Sequence, residues 1–168
     1  LMKKIQSILV LTVIFFGGPA FASDEDDAFH AVQGMFAAMS AYDYDGMVAF
    51  GTNDYHLLEN GEIWSMDDLV NVARNAEGAI ERRNYFSVIR AQKNQGSVWI
   101  SYWNRADLRT TDGEEISLTW LESAVVVKVG DMWKVEMLHS TRVREPKTIP
   151  DGVIMEEYVG ENAFMITD

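Results

Sequence analysis

The most regular alternation of apolar and polar residues lies in two neighbouring segments near the end of the chain. Residues 117–129 and 132–143 are rich in β-branched and aromatic side chains, and Gly130-Asp131 joins them. Such residues fit pleated strands, and a Gly-Asp pair between two strands indicates a two-residue hairpin. The alternation in the second segment predicts one covered face. Its members are Trp133, Val135, Met137, His139 and Thr141.

The preceding segment continues the period of two. Residues 82–92 and 97–109 are predicted strands, separated by a turn at 94–96. A second turn at 111–113 leads into the hairpin described above. The pattern therefore predicts four long antiparallel strands in sequence order.

Residues 23–50 have a helical period instead. Ser23 is followed by acidic residues, which suit the positive end of a helix, and an apolar stripe then recurs every three or four positions. The stripe consists of Phe29, Val32, Met35, Phe36 and Met39. A second short helix is predicted from Gly46 to Phe50, with a break at residues 51–54.

A short hairpin and a third helix come next. Residues 55–59 and 62–64 are predicted strands, joined by Asn60-Gly61, the strongest turn dipeptide in the chain. Ser65, with an acidic residue three positions later, predicts a helix start, and Gly78 predicts its end. Three helices followed by four long strands predict an α+β domain, with the helices on one face of a curved sheet.

The chain is predicted to contain one domain between two smaller segments. Residues 1–22 have a short basic start, an apolar stretch from Ile8 to Phe16 and the small-x-small sequence Ala20-Phe21-Ala22. This layout predicts a signal peptide cleaved after Ala22 and a periplasmic or secreted protein without a membrane anchor after cleavage. A buried N-terminal helix is the alternative. Residues 23–143 form the predicted domain, and residues 144–168, with Pro146 and Pro150, form a C-terminal tail. The tail could fold over the domain or be mobile.

Charge and composition exclude some classes of function. The 168 residues carry 26 acidic and 14 basic side chains, for a net charge of −12. Nucleic-acid binding needs clustered basic residues, so no nucleic-acid partner is predicted. No cysteine is present, which excludes disulfides and thiolate chemistry. The three scattered histidines have no metal-ligand spacing, so neither a metal nor a cofactor is predicted.

Two stretches of the chain, residues 54–69 and 129–141, match the pattern of a known family. They resemble the nuclear-transport-factor-2-like (NTF2-like) superfamily, and within it the SnoaL-like and DUF4440-like groups. Residues 54–69 resemble the family's short hairpin and the start of its third helix. Residues 129–141 resemble its closing strand, with Gly130, Trp133 and Val135 followed by His139 and Thr141. The resemblance covers about residues 24–143. It implies a cone-shaped fold around an internal pocket and a homodimer through the outer face of the sheet. Members of the superfamily include enzymes, ligand carriers and assembly domains, so the fold does not define a reaction.

His139 is the main candidate for chemistry, because the alternation directs it to the covered face. A histidine there could transfer a proton or hold a ligand, or it could be a hydrogen-bonded core residue. His56 and Asp54 could form an acid/base pair or a local turn, and His30 lies at the edge of the first helix's stripe.

The ketosteroid-isomerase-like members of the superfamily use a pocket aspartate as base, with a tyrosine and a protonated aspartate as oxyanion donors. Residues of the right type are present, although they do not match that constellation one by one. They are Tyr42, Asp43, Tyr44, Asp45, Asp54 and Asp107. The stretch 42–45 is also typical of a turn between helices.

Aromatic residues predict an apolar or aromatic ligand, since ligand pockets are lined mainly by such side chains. The predicted ligand-binding set is Tyr55, Trp64, Tyr85, Trp103, Trp120, Met137 and His139. The same aromatics could fill the core or a dimer face. Leu138, on the nominally exposed face, favours a dimer through that face.

Three functions follow from these patterns. The first is an exported protein that holds a small apolar or aromatic molecule in its pocket. The second is a SnoaL-like enzyme (an isomerase, dehydratase or hydrolase) that uses acid/base chemistry there. The third is an interaction domain whose pocket is packed shut. An open cavity of about 300–1,000 Å³ would favour the first two.

Overall fold

A computed structural model describes residues 23–160. The predicted signal peptide, residues 1–22, and the end of the tail, residues 161–168, lie outside the described part of the chain. The helices are α1 (Asp24–Ser40), α2 (Tyr44–Phe50) and α3 (Met66–Ala76). The strands are β1 (Gly51–Glu59), β2 (Glu62–Ser65), β3 (Ile80–Asn94), β4 (Ser97–Thr110), β5 (Glu115–Val129), β6 (Met132–Arg142) and β7 (Glu156–Glu157).

The seven strands form one strongly curved, unclosed sheet in the order β2-β1-β6-β5-β4-β3-β7. The four long strands are antiparallel neighbours, whereas β1 runs parallel to β6. The predicted α+β cone with three helices is confirmed. No helix within residues 23–160 is long and apolar enough to cross a membrane.

Two helices begin at the predicted serines, because the local sequence completes a capping box at each. The Ser23 hydroxyl accepts from the Asp26 backbone N–H at 3.1 Å, and the Asp26 carboxylate accepts from the Ser23 N–H at 2.9 Å. Ser65 and Asp68 repeat this exchange at the start of α3, at 3.2 and 2.8 Å. Each exchange satisfies backbone donors that the helix itself leaves unpaired.

The second helix ends at Phe50 as predicted, but β1 begins at Gly51 directly after α2 rather than at the predicted residue 55. Turn-forming residues at 52–54 suggested a loop. Gly51 instead lies opposite Val135 of β6, so pairing between strands overrides the local preference.

The core lies between α1 and the inner face of β3, β4 and β5. The Phe29 ring packs edge-on against Phe86 and Tyr102, with centroids 5.7 and 5.3 Å apart. Gly34 lets α2 approach closely, since a Cβ there would lie 2.3 Å from the Phe50 ring. These contacts fix α1 across one end of the sheet.

A β-bulge in β6 changes which residues face the core. Val126 lies opposite Val135, but Val125 lies opposite Met137, so Glu136 has no partner on β5. An extra residue in one strand reverses the alternation beyond it. The predicted covered face is therefore correct for Trp133 and Val135, which are 9% and 0% exposed.

Beyond the bulge the prediction is wrong. Leu138 and Ser140 are buried, at 2% and 3% exposure. Met137, His139 and Thr141 lie on the opposite, outer face, where His139 and Thr141 are exposed. Leu138 therefore cannot contribute to a dimer surface.

Part of the C-terminal tail extends the sheet. Glu156 and Glu157 pair antiparallel with Phe86 and Tyr85 of β3. The Glu157 carboxylate also accepts from the Arg83 guanidinium, with Nε 2.6 Å from Oε1. The tail thus covers the edge of β3 at Tyr85 and Phe86, where the strand would otherwise present unpaired backbone groups.

Candidate functional site

A cavity of about 180 Å³ lies inside the cone, between α1, α3 and the inner face of the sheet. Apolar side chains form most of its wall, among them Phe36, Leu57, Leu69 and Leu138. These residues come from α1, β1, α3 and β6. The site is therefore a composite of elements that are distant in sequence.

A carboxylate with two neutral hydrogen-bond donors lies in the wall of this cavity. Glu122 is 6% exposed. Its Oε2 accepts from Asn104 Nδ2 at 3.0 Å, and its Oε1 accepts from Ser140 Oγ at 2.9 Å. Glu122 lies directly opposite Ser140 on β6, and Asn104 belongs to the neighbouring strand β4. The register of three strands thus brings the group together.

Burial raises the pKa of Glu122, because a charged carboxylate loses hydration inside the protein. The hydrogen bonds from Ser140 and Asn104 and the charge of Arg82 oppose this effect. Burial, with the nearby Glu122 charge, also raises the pKa of Tyr102 well above its usual range. The Tyr102 hydroxyl lies beside Glu122 without completing a well-aligned hydrogen bond. Glu122 can therefore hold a proton at a higher pH than a surface glutamate.

Arg82 supplies a guanidinium to the same cavity. Its Nε donates to Asn84 Oδ1 at 2.7 Å. Asn84 Nδ2 in turn donates to Ser40 Oγ at 2.7 Å and to the Phe36 carbonyl oxygen at 3.3 Å. Burial lowers the pKa of Arg82 to about 10, and the charge of Glu122 opposes that change. Arg82 therefore remains a cation at neutral pH.

Two aromatic rings flank this guanidinium. Its central carbon lies 5.5 Å from the Phe36 ring centroid and 5.7 Å from that of Trp120. Arg142 lies 4.8 Å from the same Trp120 ring. Cation–π attraction at these distances stabilises both the ring and the charges beside it.

Glu59 and Trp64 form the wall near α3, where a hollow on the surface adjoins the cavity. Trp64 Nε1 donates to Glu62 Oε2 at 2.9 Å. Partial burial raises the pKa of Glu59. Trp64 and Val72 of α3 line both the cavity and the outer hollow, so a ligand could enter the cavity from this side.

The structure brings two of the predicted ligand-binding residues, Trp64 and Trp120, into the cavity wall. Tyr55 is buried in the core at 6% exposure but does not line the cavity. Tyr85 and Trp103 lie on the outer face, because the residues on either side of each are buried and face inward.

The predicted interior position of His139 is wrong. The bulge at Glu136 places its side chain on the outer face with Met137. The second histidine candidate contacts its own strand, since His56 Nδ1 lies 3.3 Å from the backbone oxygen of Asp54 within β1.

The aspartates suggested by the resemblance do not line the cavity. Asp43 accepts from the Gly46 backbone N–H at 2.9 Å and caps α2, as the turn interpretation of residues 42–45 predicted. Asp107 bonds Arg105 and Ser117 on the outer face.

Sequence reasoning missed Arg82, Asn104, Glu122 and Ser140. A signal for two of them was present, since polar residues occupy inward positions of the alternating strands. Asn104 lies between the buried Tyr102 and Ala106, and Glu122 shares its face with Ala124. Ser140 was hidden by the bulge.

Within residues 23–160, no three histidine, cysteine, aspartate or glutamate side chains converge on a point where they could hold a metal ion. The cavity instead combines one buried acid, one cation and neutral amide and hydroxyl groups. That set can bind polar atoms of a ligand and can transfer a proton.

Solved structures share this architecture at low sequence identity. A ketosteroid isomerase-like protein from Erwinia carotovora atroseptica has a TM-score of 0.59 and 13% identity, covering 74% of this chain and 99% of that chain. An NTF2-like protein from Cytophaga hutchinsonii has a TM-score of 0.58 and 14% identity, covering 72% and 99%. The CaMKII hub of S. rosetta has a TM-score of 0.61 and 13% identity, covering 73% and 99%.

The chain has the NTF2-like fold. The fold implied by the resemblance in the sequence is thereby confirmed, while the DUF4440-like grouping is not confirmed. No family model matches the chain, and no curated protein matches its sequence. Because the identities are this low, the likeness extends to the fold alone.

Proposed function

We propose that the NTF2-like domain binds a small molecule in the cavity between α3 and the sheet. The observation that carries this proposal is that the buried Glu122 carboxylate and the half-buried Arg82 guanidinium line a cavity whose wall is largely apolar. Burying charged groups destabilises a fold, so their presence favours a binding role over a structural one. An apolar cavity with a few converging polar groups is typical of small-molecule sites.

The cavity volume limits the ligand. About 180 Å³ is below the range expected of drug-sized sites, so the ligand is small and compact. The cavity is thus smaller than the range of about 300–1,000 Å³ expected for the first two functions, but it is not packed shut, as the interaction-domain alternative required. This difference favours ligand binding over a purely structural domain.

A variant that blocks the route to the cavity tests this proposal. Val72 is 46% exposed and borders the cavity, so Val72→Trp should obstruct entry without disturbing the core. Val48→Trp, on α2 and 51% exposed, is the matched control. Ligand-detected NMR with a library of small fragments should give hits that bind the wild type and Val48→Trp but not Val72→Trp. Equal binding to all three proteins would refute the cavity as the site.

A second candidate function is acid/base catalysis, favoured by the raised pKa of Glu122. A carboxyl that titrates closer to neutral pH can both accept and return a proton. Deuterium exchange at acidic C–H positions of small ketones, followed by NMR, would detect such chemistry. The exchange should disappear in Glu122→Gln while ligand binding persists. Undiminished exchange in that variant would exclude Glu122 as the base.

We further propose that a second copy covers the outer face of the sheet. Apolar and aromatic side chains are spread over that face. Its members include Trp99, Trp103, Leu121, Val125 and Met137. Leu121, 41% exposed, lies among them, and an apolar patch of this kind on an exposed face is typical of a protein–protein interface.

The proposed site of action is the periplasm or the exterior of the cell. This proposal rests on the layout of residues 1–22. Exported protein should begin at Ser23 when its mass is measured, and a mass that retains residues 1–22 would contradict the proposal.

A further inference from the structure

We propose that the ligand of this cavity carries a carboxylate group and that Arg82 binds it through its two Nη nitrogens. This inference rests on the proposed binding function and specifies its ligand class. It follows from the hydrogen bonds that Arg82 makes and from those that it leaves open.

Arg82 uses only part of its donor capacity within the described chain. A guanidinium has five N–H donors. The Nε of Arg82 donates to Asn84, but no group in residues 23–160 accepts from either Nη nitrogen, and no carboxylate there forms an ion pair with it. The open donors belong to a side chain that lines the cavity.

Glu59 and Glu122 are the carboxylates in the cavity wall, and neither forms an ion pair with Arg82. Glu122 in particular does not fill the open position. Both of its oxygens accept from neutral donors, Asn104 and Ser140. Its charge influences Arg82 through space without a direct contact. A ligand therefore does not have to displace an internal salt bridge in order to reach the guanidinium.

The guanidinium is held in a fixed orientation. Asn84 anchors its Nε edge, and the rings of Phe36 and Trp120 lie within 6 Å of it. A guanidinium that is already held in place loses little conformational entropy when it binds a ligand. Two parallel Nη–H donors match the two oxygens of a carboxylate, and such charge-assisted pairs are the strong ones.

The rest of the cavity defines the body of the ligand. Leu57, Leu69 and Leu138 present apolar surface, and Trp64 adds an aromatic wall. A compact hydrocarbon or single aromatic ring bearing one carboxylate fits this combination. A neutral amide of the same shape would fill the space but could offer Arg82 only one oxygen.

Matched acid and amide pairs test the inference. The probes are acetate, benzoate, phenylacetate and 3-phenylpropionate, each compared with its primary amide by isothermal titration calorimetry at pH 7. At least one acid should bind the full-length protein about tenfold or more tightly than its amide, because a charge-assisted hydrogen bond is roughly twice as strong as a neutral one.

Substitutions of arginine test whether Arg82 causes the preference for the acid over its amide. Arg82→Gln should abolish the preference for the acid, whereas Arg83→Gln should retain it. Arg83 is the neighbouring arginine on the outer face, where it pairs with Glu157. Circular dichroism melting curves establish that each variant is folded. If Arg82→Gln does not fold, the acid-to-amide comparison on the wild-type protein decides alone.

The outcomes separate the two proposals. Amides that bind as tightly as their acids would overturn the carboxylate inference and leave the binding function intact. An acid preference that survives in folded Arg82→Gln would overturn the role of Arg82. Absence of binding by every acid and amide, together with no fragment hits in the cavity, would overturn both proposals.

Discussion

Glu122 and Ser140 face each other across β5 and β6, and the serine hydroxyl donates to the glutamate Oε1 at 2.9 Å. Burial raises the pKa of this glutamate, so the folded protein holds the proton more tightly than the unfolded chain does. The resulting stabilisation is complete below the ordinary glutamate pKa of 4.5 and is lost as the pH rises through the raised pKa.

Glu122→Gln should therefore make the protein more stable than the wild type at pH 7 and about equally stable near pH 4. The amide can keep both contacts, since its oxygen can accept from Asn104 and its nitrogen can donate to Ser140. Chemical denaturation at several pH values measures this difference. A wild-type advantage at pH 7 would show that ionised Glu122 is stabilised by its surroundings after all.

Glu122→Leu provides the contrasting case. It removes the acceptor for Asn104 and Ser140 and leaves two buried donors unsatisfied, at a cost of about 1–3 kcal/mol each. This variant should be less stable than Glu122→Gln at every pH. Equal stability of the two variants would mean that both donors find other partners.

Leu138 and His139 are neighbours in sequence, but replacing each by alanine should change the free energy of unfolding by very different amounts. Leu138→Ala should lower the free energy of unfolding by about 2–5 kcal/mol, because it empties space beside the cavity. His139→Ala should change it by less than about 0.5 kcal/mol, since the side chain is exposed. It should also leave ligand affinity unchanged. A large loss of affinity in His139→Ala would place the histidine in the site and contradict the bulge.

The cap of α3 should control how firmly the cavity is covered. Ser65→Ala removes the side-chain acceptor for the Asp68 N–H and should destabilise the helix by about 0.5–2 kcal/mol. Hydrogen exchange of amides in residues 66–76 should then become faster than in α1. Ser65→Thr retains a hydroxyl and serves as the control. Unchanged exchange in Ser65→Ala would mean that tertiary packing alone holds α3.

A charge on the outer face should separate the proposed dimer. Leu121→Glu places a carboxylate in the centre of that face and should give a monomer in light scattering at micromolar concentration. Val129→Glu, at the turn end of β5 and 50% exposed, should retain the wild-type mass. A monomeric wild-type protein would rule out the dimer directly.

Features that depend on neighbouring residues could be predicted from the sequence. The capping serines, Ser23 and Ser65, and the Asn60-Gly61 turn each act over three or four positions, and all appear where expected. The alternation in β3, β4 and β5 likewise identified their strands, although not their exact ends.

Features that depend on pairing between distant strands could not be predicted in this way. The extra residue at Glu136 is visible only in the register between β5 and β6. The contact of Arg82 with Asn84, and of Asn84 with Ser40, also depends on how α1 crosses the sheet. The candidate site consists largely of such contacts, which explains why its polar residues were missed while two of its tryptophans were found.

The unpaired residue at Glu136 also has a consequence for comparing related sequences. A homologue that lacks the residue equivalent to Glu136 would still place the equivalents of Met137 and His139 outside and those of Leu138 and Ser140 inside, because the pairs on either side of the bulge would become consecutive. An ungapped alignment would then equate a residue that contacts the ligand with one that contacts solvent or another subunit. A one-residue gap placed at Glu136 therefore decides whether an alignment assigns each later position of β6 to the cavity or to the outer face.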